Sequence, residues 1–174
     1  AVGCAKSNER TPDPGGGDIC SGNCNCDAET CEVDCPDGDC QVECLGGSDC
    51  SFDCSGGGCE LDCDEGSTCD SVCTGGECVF DCDRGAMCAI ECETGGCDLT
   101  SCDENATCDF RCPGGGCDVL CEANSVCNVD CSGGGCNVSC NGAESCNVTC
   151  SGDCTLECDS TESCTQTCTD PEGC

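Results

Sequence analysis

The cysteines of this chain recur in pairs that enclose three residues, in the pattern Cys-x-φ-x-Cys, where φ is apolar in most units. The pattern occurs fifteen times between Cys31 and Cys168, once with an extra residue, and Cys127-Asn-Val-Asp-Cys131 is an example. Because strand side chains alternate between two faces, both cysteines and the apolar residue share one face. The pattern therefore predicts very short strands with a sulfur-rich inner face.

Turns of four and five residues alternate between these strands, as in Ser55–Gly58 and Asp64–Thr68. Two strands and two turns give a period of 19 residues, and a fixed period of this size is typical of a solenoid. We therefore predict an all-β fold for residues 20–174: a disulfide-stapled, flattened two-sheet β-solenoid of about seven 19-residue coils. An up-and-down meander is the alternative, but two alternating turn types favour a coil with two distinct edges.

The first 19 residues differ from the rest of the chain, because they are rich in Pro and Gly and lack the Cys-x-φ-x-Cys pattern. Such a composition is typical of a linker. We predict a flexible or extended N-terminal arm over residues 1–19, followed by the repeat domain over 20–174. The extra residue in Cys97-Asp-Leu-Thr-Ser-Cys102 predicts a β-bulge.

The spacing of the cysteines also predicts their pairing. Two cysteines of one strand lie roughly 13 Å apart, whereas a disulfide needs Cα atoms within about 7 Å. The cysteines that flank a turn meet this limit, and pairing across every turn, from Cys20–Cys24 to Cys168–Cys174, leaves only Cys4 of the 35 cysteines over. Six of the predicted bridges are Cys54–Cys59, Cys63–Cys69, Cys73–Cys78, Cys82–Cys88, Cys131–Cys136 and Cys140–Cys146.

Composition restricts the environment and the partners. The formal net charge is −32, and only Lys6, Arg10, Arg84 and Arg111 are basic, which excludes nucleic acids and anionic membranes as partners. Dense cysteine indicates an oxidising compartment, so we expect an extracellular or cell-surface protein. No apolar run approaches the ~20 residues of a transmembrane helix, so we expect no transmembrane segment.

The chain lacks histidine and the cysteine spacing that most catalytic and metal centres of cysteine-rich proteins use. The chain has no His and no Cys-x-x-Cys, which zinc, iron–sulfur and haem sites of the common kinds require. Without His or a cysteine pair arranged for exchange, a catalytic triad or a redox centre is not predicted. We expect a protein that is not an enzyme. We also expect no cofactor, with calcium as the one candidate exception.

Carboxylates recur at outward positions of the predicted strands. A 19-residue period stacks Asp34 on Asp53 in one sheet, and Glu43, Asp62 and Asp81 in the other. Like charges about 4.8 Å apart repel one another unless a cation or solvent screens them. These carboxylates are candidate calcium ligands, with solvated surface charge as the plain alternative.

Towards the C-terminus the outward positions become uncharged. The period stacks Asn128, Asn147 and Thr165 in one row, and Thr149 and Thr167 in another. Ladders of amides and hydroxyls satisfy one another and suit close packing of sheets.

In architecture, residues 20–174 resemble the insect antifreeze β-solenoids, which have a cysteine ladder inside and a flat sheet outside. That resemblance implies a short-coil solenoid. The ice-binding members present regular Thr-x-Thr rows, whereas this chain has one such strand, Thr165-Gln-Thr167, and Asp or Glu elsewhere. The departure disfavours ice binding.

The start of the chain, Ala1-Val-Gly-Cys4 followed by Ala5, resembles the end of a bacterial lipobox. This resemblance implies an acylated Cys4 and a lipid anchor, with the arm as a tether. The alternative is that Cys4 cross-links to a neighbouring chain, as an odd cysteine in a secreted protein often does.

The sequence favours a secreted structural protein that associates with itself. A solenoid ends in open strand edges unless these are capped, and a head-to-tail contact that does not close makes an open fibre. We predict a subunit of a stable extracellular filament or surface coat, in which the basic arm residues Lys6 and Arg10 contact the acidic body of the next subunit. The competing hypothesis is a monomeric, surface-tethered adhesin or calcium-binding module.

Overall fold

The computed structural model describes residues 10–12, 18–20, 22–27 and 30–169. All regular elements in this part of the chain are β-strands. The eighteen strands are β1 (Arg10–Pro12), β2 (Asp18–Cys20), β3 (Asn23–Cys26), β4 (Thr30–Asp34), β5 (Gln41–Cys44), β6 (Asp49–Cys54), β7 (Glu60–Cys63), β8 (Thr68–Cys73), β9 (Val79–Cys82), β10 (Met87–Cys92), β11 (Asp98–Cys102), β12 (Thr107–Arg111), β13 (Asp118–Cys121), β14 (Val126–Cys131), β15 (Asn137–Asn141), β16 (Ser145–Cys150), β17 (Thr155–Asp159) and β18 (Ser163–Cys168).

The strands form two sheets, and the chain alternates between them. Sheet A has ten strands in the order β1-β2-β4-β6-β8-β10-β12-β14-β16-β18, and sheet B has eight in the order β17-β15-β13-β11-β9-β7-β5-β3. Apart from β1, all pairs are parallel, which confirms the two-sheet solenoid and excludes the meander. Sheet B shows about eight coils rather than seven, because β2 and β3 form a first coil without a complete Cys-x-φ-x-Cys unit.

Part of the predicted arm lies on the edge of sheet A. The strand β1 pairs antiparallel with β2, with Arg10 opposite Cys20, and β2 pairs in parallel with β4. Pro12 ends β1, and an edge strand tolerates a proline because one side of its backbone needs no partner. The other residues of the arm lie outside the described part of the chain.

The core lies between the sheets and consists of cysteines and one inward residue from each strand. Most of these side chains are at most 5 % exposed. The one polar inward residue of the central coils is Ser71, which lies between Phe52 and Ile90 in sheet A and has no hydrogen-bond partner for its hydroxyl. Its own coil contributes Phe80 from sheet B, and Phe80 packs edge-to-face on Phe110 with ring centroids 6.4 Å apart. A small residue in one sheet thus accompanies a large one in the other.

Disulfides close the turns at both edges of the solenoid. Each described bridge joins two cysteines separated by four to six residues, with Cα atoms 5.9–6.5 Å apart, and all six bridges named above are present. The first is Cys20–Cys24, as the spacing predicts. The predicted bridge Cys168–Cys174 and the leftover Cys4 involve residues outside the described part.

The four-residue turns form one edge, where successive backbones stack in contact. A Cβ atom added to Gly56 would lie 2.1 Å from the backbone nitrogen of Gly38, so no side chain fits there. Backbone hydrogen bonds link neighbouring turns, as from Gly58 N–H to the carbonyl oxygen of Gly76 at 2.9 Å. We call this the glycine edge, and its glycines follow from this close approach.

The five-residue turns form the opposite edge, where a small side chain from each turn enters the core. Ser67 and Ser125 are buried, and their hydroxyls donate to the carbonyl oxygens of Asp64 and Glu122 at 2.6 and 2.7 Å. Other turns bury an alanine, such as Ala106, instead. We call this the carboxylate edge, because the first residues of several of its turns are acidic.

The predicted bulge lies in β11. The register between β11 and β9 shifts between Leu99 and Ser101, which leaves Thr100 as the extra residue. The Thr100 hydroxyl donates to the carbonyl oxygen of Phe80 at 2.9 Å. The bulge is therefore confirmed, and it moves the outward positions of sheet B by one residue.

Candidate binding surfaces

An acidic ladder crosses three neighbouring strands of sheet B. Glu43 lies beside Asp62, and Asp62 lies beside Asp81, in the register that the 19-residue period gives. The ladder ends at neutral groups: the Asn25 amide donates to Glu43 at 2.7 Å, and the Ser101 hydroxyl donates to Asp81. These donors offset charge at both ends of the ladder, whereas its middle member has acidic neighbours on both sides.

The middle member of the ladder has the most perturbed acidity. Partial burial, and then repulsion from Asp64, Asp81, Asp83 and Glu43, raises the pKa of Asp62 to about 6. Burial and nearby charge both disfavour the ionised carboxylate. The ladder is therefore a region of strongly negative potential.

The second predicted ladder, in sheet A, is a pair. Asp34 lies beside Asp53, and the next position along the row is Val72. Only two carboxylates are therefore adjacent in this row. A calcium ion normally takes six or more oxygen ligands, so the sheet B ladder is the stronger candidate.

Carboxylates also follow the carboxylate edge. Asp83 and Asp103 begin successive turns, and Arg84 forms an ion pair with Glu104 at 3.1 Å. Burial, and then repulsion from Asp81 and Asp103, raises the pKa of Asp83. The carboxylate edge extends the negative potential of the ladder around the side of the molecule.

The end of sheet A carries the uncharged surface that the sequence predicts. Asn147 lies beside Asn128 and Thr165, and Thr149 lies beside Thr167. The Asn147 amide donates to the Asn128 side-chain oxygen at 3.1 Å. None of the outward residues of β16 and β18 is charged, in contrast to the acidic rows near the N-terminus.

A groove lies on the outer face of sheet B, next to the glycine edge. It has a volume of about 480 Å³ and crosses β11, β13, β15 and β17, beside the bulge. Asp98 and Asp118 lie side by side at the start of their strands, and the Asn137 amide donates to Asp118 at 2.7 Å. Burial and then the Asp118 charge raise the pKa of Asp98, and half-buried Leu120 adds apolar surface.

The 19-residue period does not predict this groove. Asp98 and Asp118 are separated by 20 residues instead of 19, because the bulge lies between them. Counting strands from each turn, instead of residues, would have placed the two aspartates together.

The clustered cysteines do not form a thiolate metal site. The sulfur atoms of Cys35, Cys54 and Cys59, for example, lie within 4.8 Å of one another. However, Cys54 is bonded to Cys59, and Cys35 is bonded to Cys40. A disulfide sulfur is not the thiolate that zinc or iron requires.

For three further predicted site residues, the structure describes either nothing or only the backbone. Cys4 and Lys6 are outside the described residues, and only the backbone of Arg10 is described, in β1. Within the described ranges, no helix is long and apolar enough to cross a membrane. The disulfides indicate an oxidising environment.

No protein-family model matches this chain, and neither a curated protein nor a solved structure matches it. The resemblance to antifreeze solenoids is thus one of architecture.

Proposed function

We propose that the protein is a structural subunit of an extracellular filament or surface coat, assembled head to tail through the ends of the solenoid. The observation that carries this proposal is the exposure of the last described coil. Leu156 is half-buried and Gln166 is exposed, although both occupy inward positions, whereas Val148 in the preceding coil is 2 % exposed. An inner face left uncovered in one subunit is suited to stacking on another.

The strand edges support the same proposal. Among the described strands, β17 and β18 end their sheets at the C-terminal side, and β3 ends sheet B at the N-terminal side. Each edge presents backbone N–H and C=O groups for pairing with another chain. The Thr169 N–H points to Cys150 in β16, so by alternation along the strand the Gln166 N–H points to the free edge.

Gln166→Pro tests the proposal with little cost to the fold. Proline removes the edge N–H of residue 166 without removing a hydrogen bond to β16. We expect wild-type protein to sediment as concentration-dependent oligomers and to form fibres in negative stain, and the variant to remain monomeric with unchanged circular dichroism.

Leu156→Lys provides a second variant, since it places a charge at the uncovered end. Its matched control is Met87→Lys, because Met87 is 56 % exposed on the outer face of sheet A. Association should be lost in the first and kept in the second. A wild-type protein that stays monomeric at millimolar concentration would overturn the head-to-tail proposal.

The second candidate is a monomeric, surface-tethered module that binds calcium, and the sheet B ladder favours it. Burial, and then repulsion from neighbouring carboxylates, raises the pKa of Asp62, and a cation beside it would favour the ionised carboxylate. Calorimetry should then detect calcium binding that Asp62→Asn weakens. The control is Asp70→Asn, because Asp70 lies between Ser51 and Ala89 and has no carboxylate beside it. No heat of binding at millimolar calcium would exclude this candidate.

A further inference from the structure

We propose that the Cys158–Cys164 disulfide is a site of thiol–disulfide exchange, at which a small thiol without negative charge forms a mixed disulfide with Cys158. The bridge joins the end of β17 to the start of β18, at the carboxylate edge of the last described coil. Its chemistry does not require subunits to associate, so this site is independent of the filament proposed above.

Exposure separates this bridge from the other described bridges. Cys158 is exposed and Cys164 is half-buried. Every other bridge whose two cysteines are both described has at least one cysteine that is no more than 5 % exposed. Exchange begins when a thiolate reaches a disulfide sulfur, so access decides which bridge reacts.

The neighbouring bridge Cys140–Cys146 shows the cause of this difference. It lies at the same edge, has the same sequence separation of six residues, and its Cα atoms are also 6.4 Å apart. Both of its cysteines are 0 % exposed, because β17 and β18 pair with β15 and β16 and cover them. Among the described strands, none lies beyond β17 and β18 to cover Cys158 and Cys164 in turn. The position at the end of the stack, and not the type of turn, therefore makes this bridge accessible.

Acidic side chains around the bridge select the attacking thiol. Glu157 and Asp159 flank Cys158 in the sequence, and Glu162 lies in the turn that the bridge closes. All three side chains are exposed. Their negative potential repels an anionic reagent and attracts a cationic one. An aminothiol should therefore react faster than a thiol that carries a carboxylate or a sulfonate.

The exchange needs no reactant other than the small thiol. Its thiolate sulfur attacks the Sγ atom of Cys158, the more exposed cysteine, and forms a new S–S bond. The bond between Cys158 and Cys164 breaks, and Cys164 leaves as a thiolate that takes a proton from water. The small thiol is thereby oxidised to the mixed disulfide, while Cys164 is reduced to a thiol.

Hydrogen bonds hold the turn in place when the bridge opens. The Thr161 hydroxyl donates to the carbonyl oxygen of Cys140 at 2.6 Å, and the Glu162 N–H donates to the carbonyl oxygen of Ala143 at 3.1 Å. These contacts do not involve the bridge, so Cys164 stays beside Cys158. The exchange is therefore reversible, because the Cys164 thiolate can displace the small thiol again.

Timed exchange with cysteamine, a thiol that carries an ammonium group, tests the site. The wild-type protein is kept dilute and shown to be monomeric by sedimentation, and free thiols are alkylated before peptide mapping by mass spectrometry. We expect cysteamine on Cys158 and the alkyl group on Cys164, formed roughly a hundredfold faster than any modification of Cys140 or Cys146. Equal rates at the two bridges in the monomer would overturn the inference and leave the filament proposal intact. Fast exchange in a protein that never forms fibres would do the reverse.

A comparison of thiols tests the charge selection. Each rate for cysteamine and for 2-mercaptoethanesulfonate is divided by the rate of the same thiol with an uncharged small disulfide. We expect the corrected rates to differ by about tenfold at low salt and by much less at 1 M salt, because salt screens exposed charges. Equal corrected rates at low salt would overturn the selection.

Matched variants with the same net charge locate the source of the selection. The first replaces the three acidic residues beside the bridge, as Glu157→Gln, Asp159→Asn and Glu162→Gln. The control replaces three exposed acidic residues near the other end of the solenoid, as Glu32→Gln, Asp37→Asn and Asp49→Asn. The preference for cysteamine should fall in the first variant and persist in the control. An equal fall in both would assign the preference to the net charge of the protein and overturn local selection.

Discussion

The two edges of the solenoid solve the same problem, the reversal of a short strand, in opposite ways. At the glycine edge, turns stack backbone on backbone, so that Gly56 has no room for a Cβ atom beside Gly38. At the carboxylate edge, each turn is one residue longer and holds a small side chain such as that of Ser67 in the core. The comparison teaches that turn length decides whether an edge is held together by its backbone or by its side chains.

The largest effect should come from adding one methyl group to the glycine edge. Gly56→Ala forces a Cβ atom to within 2.1 Å of a neighbouring backbone nitrogen. We expect this to lower the free energy of unfolding by about 3 kcal/mol, the upper part of the range for overpacked cores. Guanidinium unfolding with disulfides intact measures the loss. The counterpart at the other edge is Gly66→Ala, where nothing lies within 4 Å and φ is +74°, so about 1 kcal/mol is expected from backbone strain. Equal losses would mean that the two edges are not packed differently.

Removal of a disulfide should lower the free energy of unfolding by the same amount at both edges. Cys112→Ala with Cys117→Ala opens a loop with a separation of five residues, and Cys121→Ala with Cys127→Ala opens one of six. Loop entropy depends only weakly on such lengths, so each pair should lower the free energy of unfolding by about 2 kcal/mol. The midpoint of guanidinium unfolding tests this. A much larger loss at the glycine edge would indicate that its bridge also holds the stacked backbones in place.

A smaller loss of stability should follow from truncating a side chain that the carboxylate edge places in the core. Ser67→Ala removes a buried hydroxyl that donates to Asp64, and we expect a loss of about 1 kcal/mol. Ser55→Ala, in an exposed position of the glycine edge, should change stability by less than about 0.5 kcal/mol. Thermal or denaturant unfolding measures the stability of both variants. If Ser67→Ala left the stability unchanged, the Ser67 side chain would stabilise the edge by packing and not by its hydrogen bond.

The last effect concerns pH and Asp62, the middle member of the acidic ladder, which lies next to the carboxylate edge. Burial, and then the neighbouring carboxylates, raise the pKa of Asp62 from 3.8 to about 6, so between these pH values the folded state binds a proton that the unfolded state has lost. Stability from this group is fully present below pH 3.8 and is lost as the pH rises through about 6. Asp62→Asn should therefore raise the melting temperature at pH 7 and make the melting temperature depend less on pH between pH 4 and 6. Asp70→Asn should leave that dependence unchanged.

Much of this fold follows from counting. The Cys-x-φ-x-Cys period predicts the two-sheet solenoid, a bulge between Cys97 and Cys102, and the stacking of Asp62 between Glu43 and Asp81. This works because an in-register parallel stack converts sequence period directly into spatial neighbours.

Other features escape such counting. The strand β1 belongs to a Pro- and Gly-rich stretch, and its antiparallel pairing depends on an open edge that local sequence does not encode. The groove beside Asp98 depends on a bulge that shifts the register by one residue. Ser71 breaks the apolar pattern in the coil that contributes Phe80 from the opposite sheet, and the spacing of the cysteines does not predict a buried serine there.

The bridges described above are all local, and this has a mechanical consequence. Each joins cysteines four to six residues apart, and no described bridge joins two strands that are stacked in the same sheet. A force applied to the two ends would therefore detach coils one at a time by breaking hydrogen bonds, without cleaving a covalent bond. Each released coil would extend to only about 40 Å instead of about 65 Å, because its turns stay closed. The disulfides thus limit how far the molecule can be extended under force.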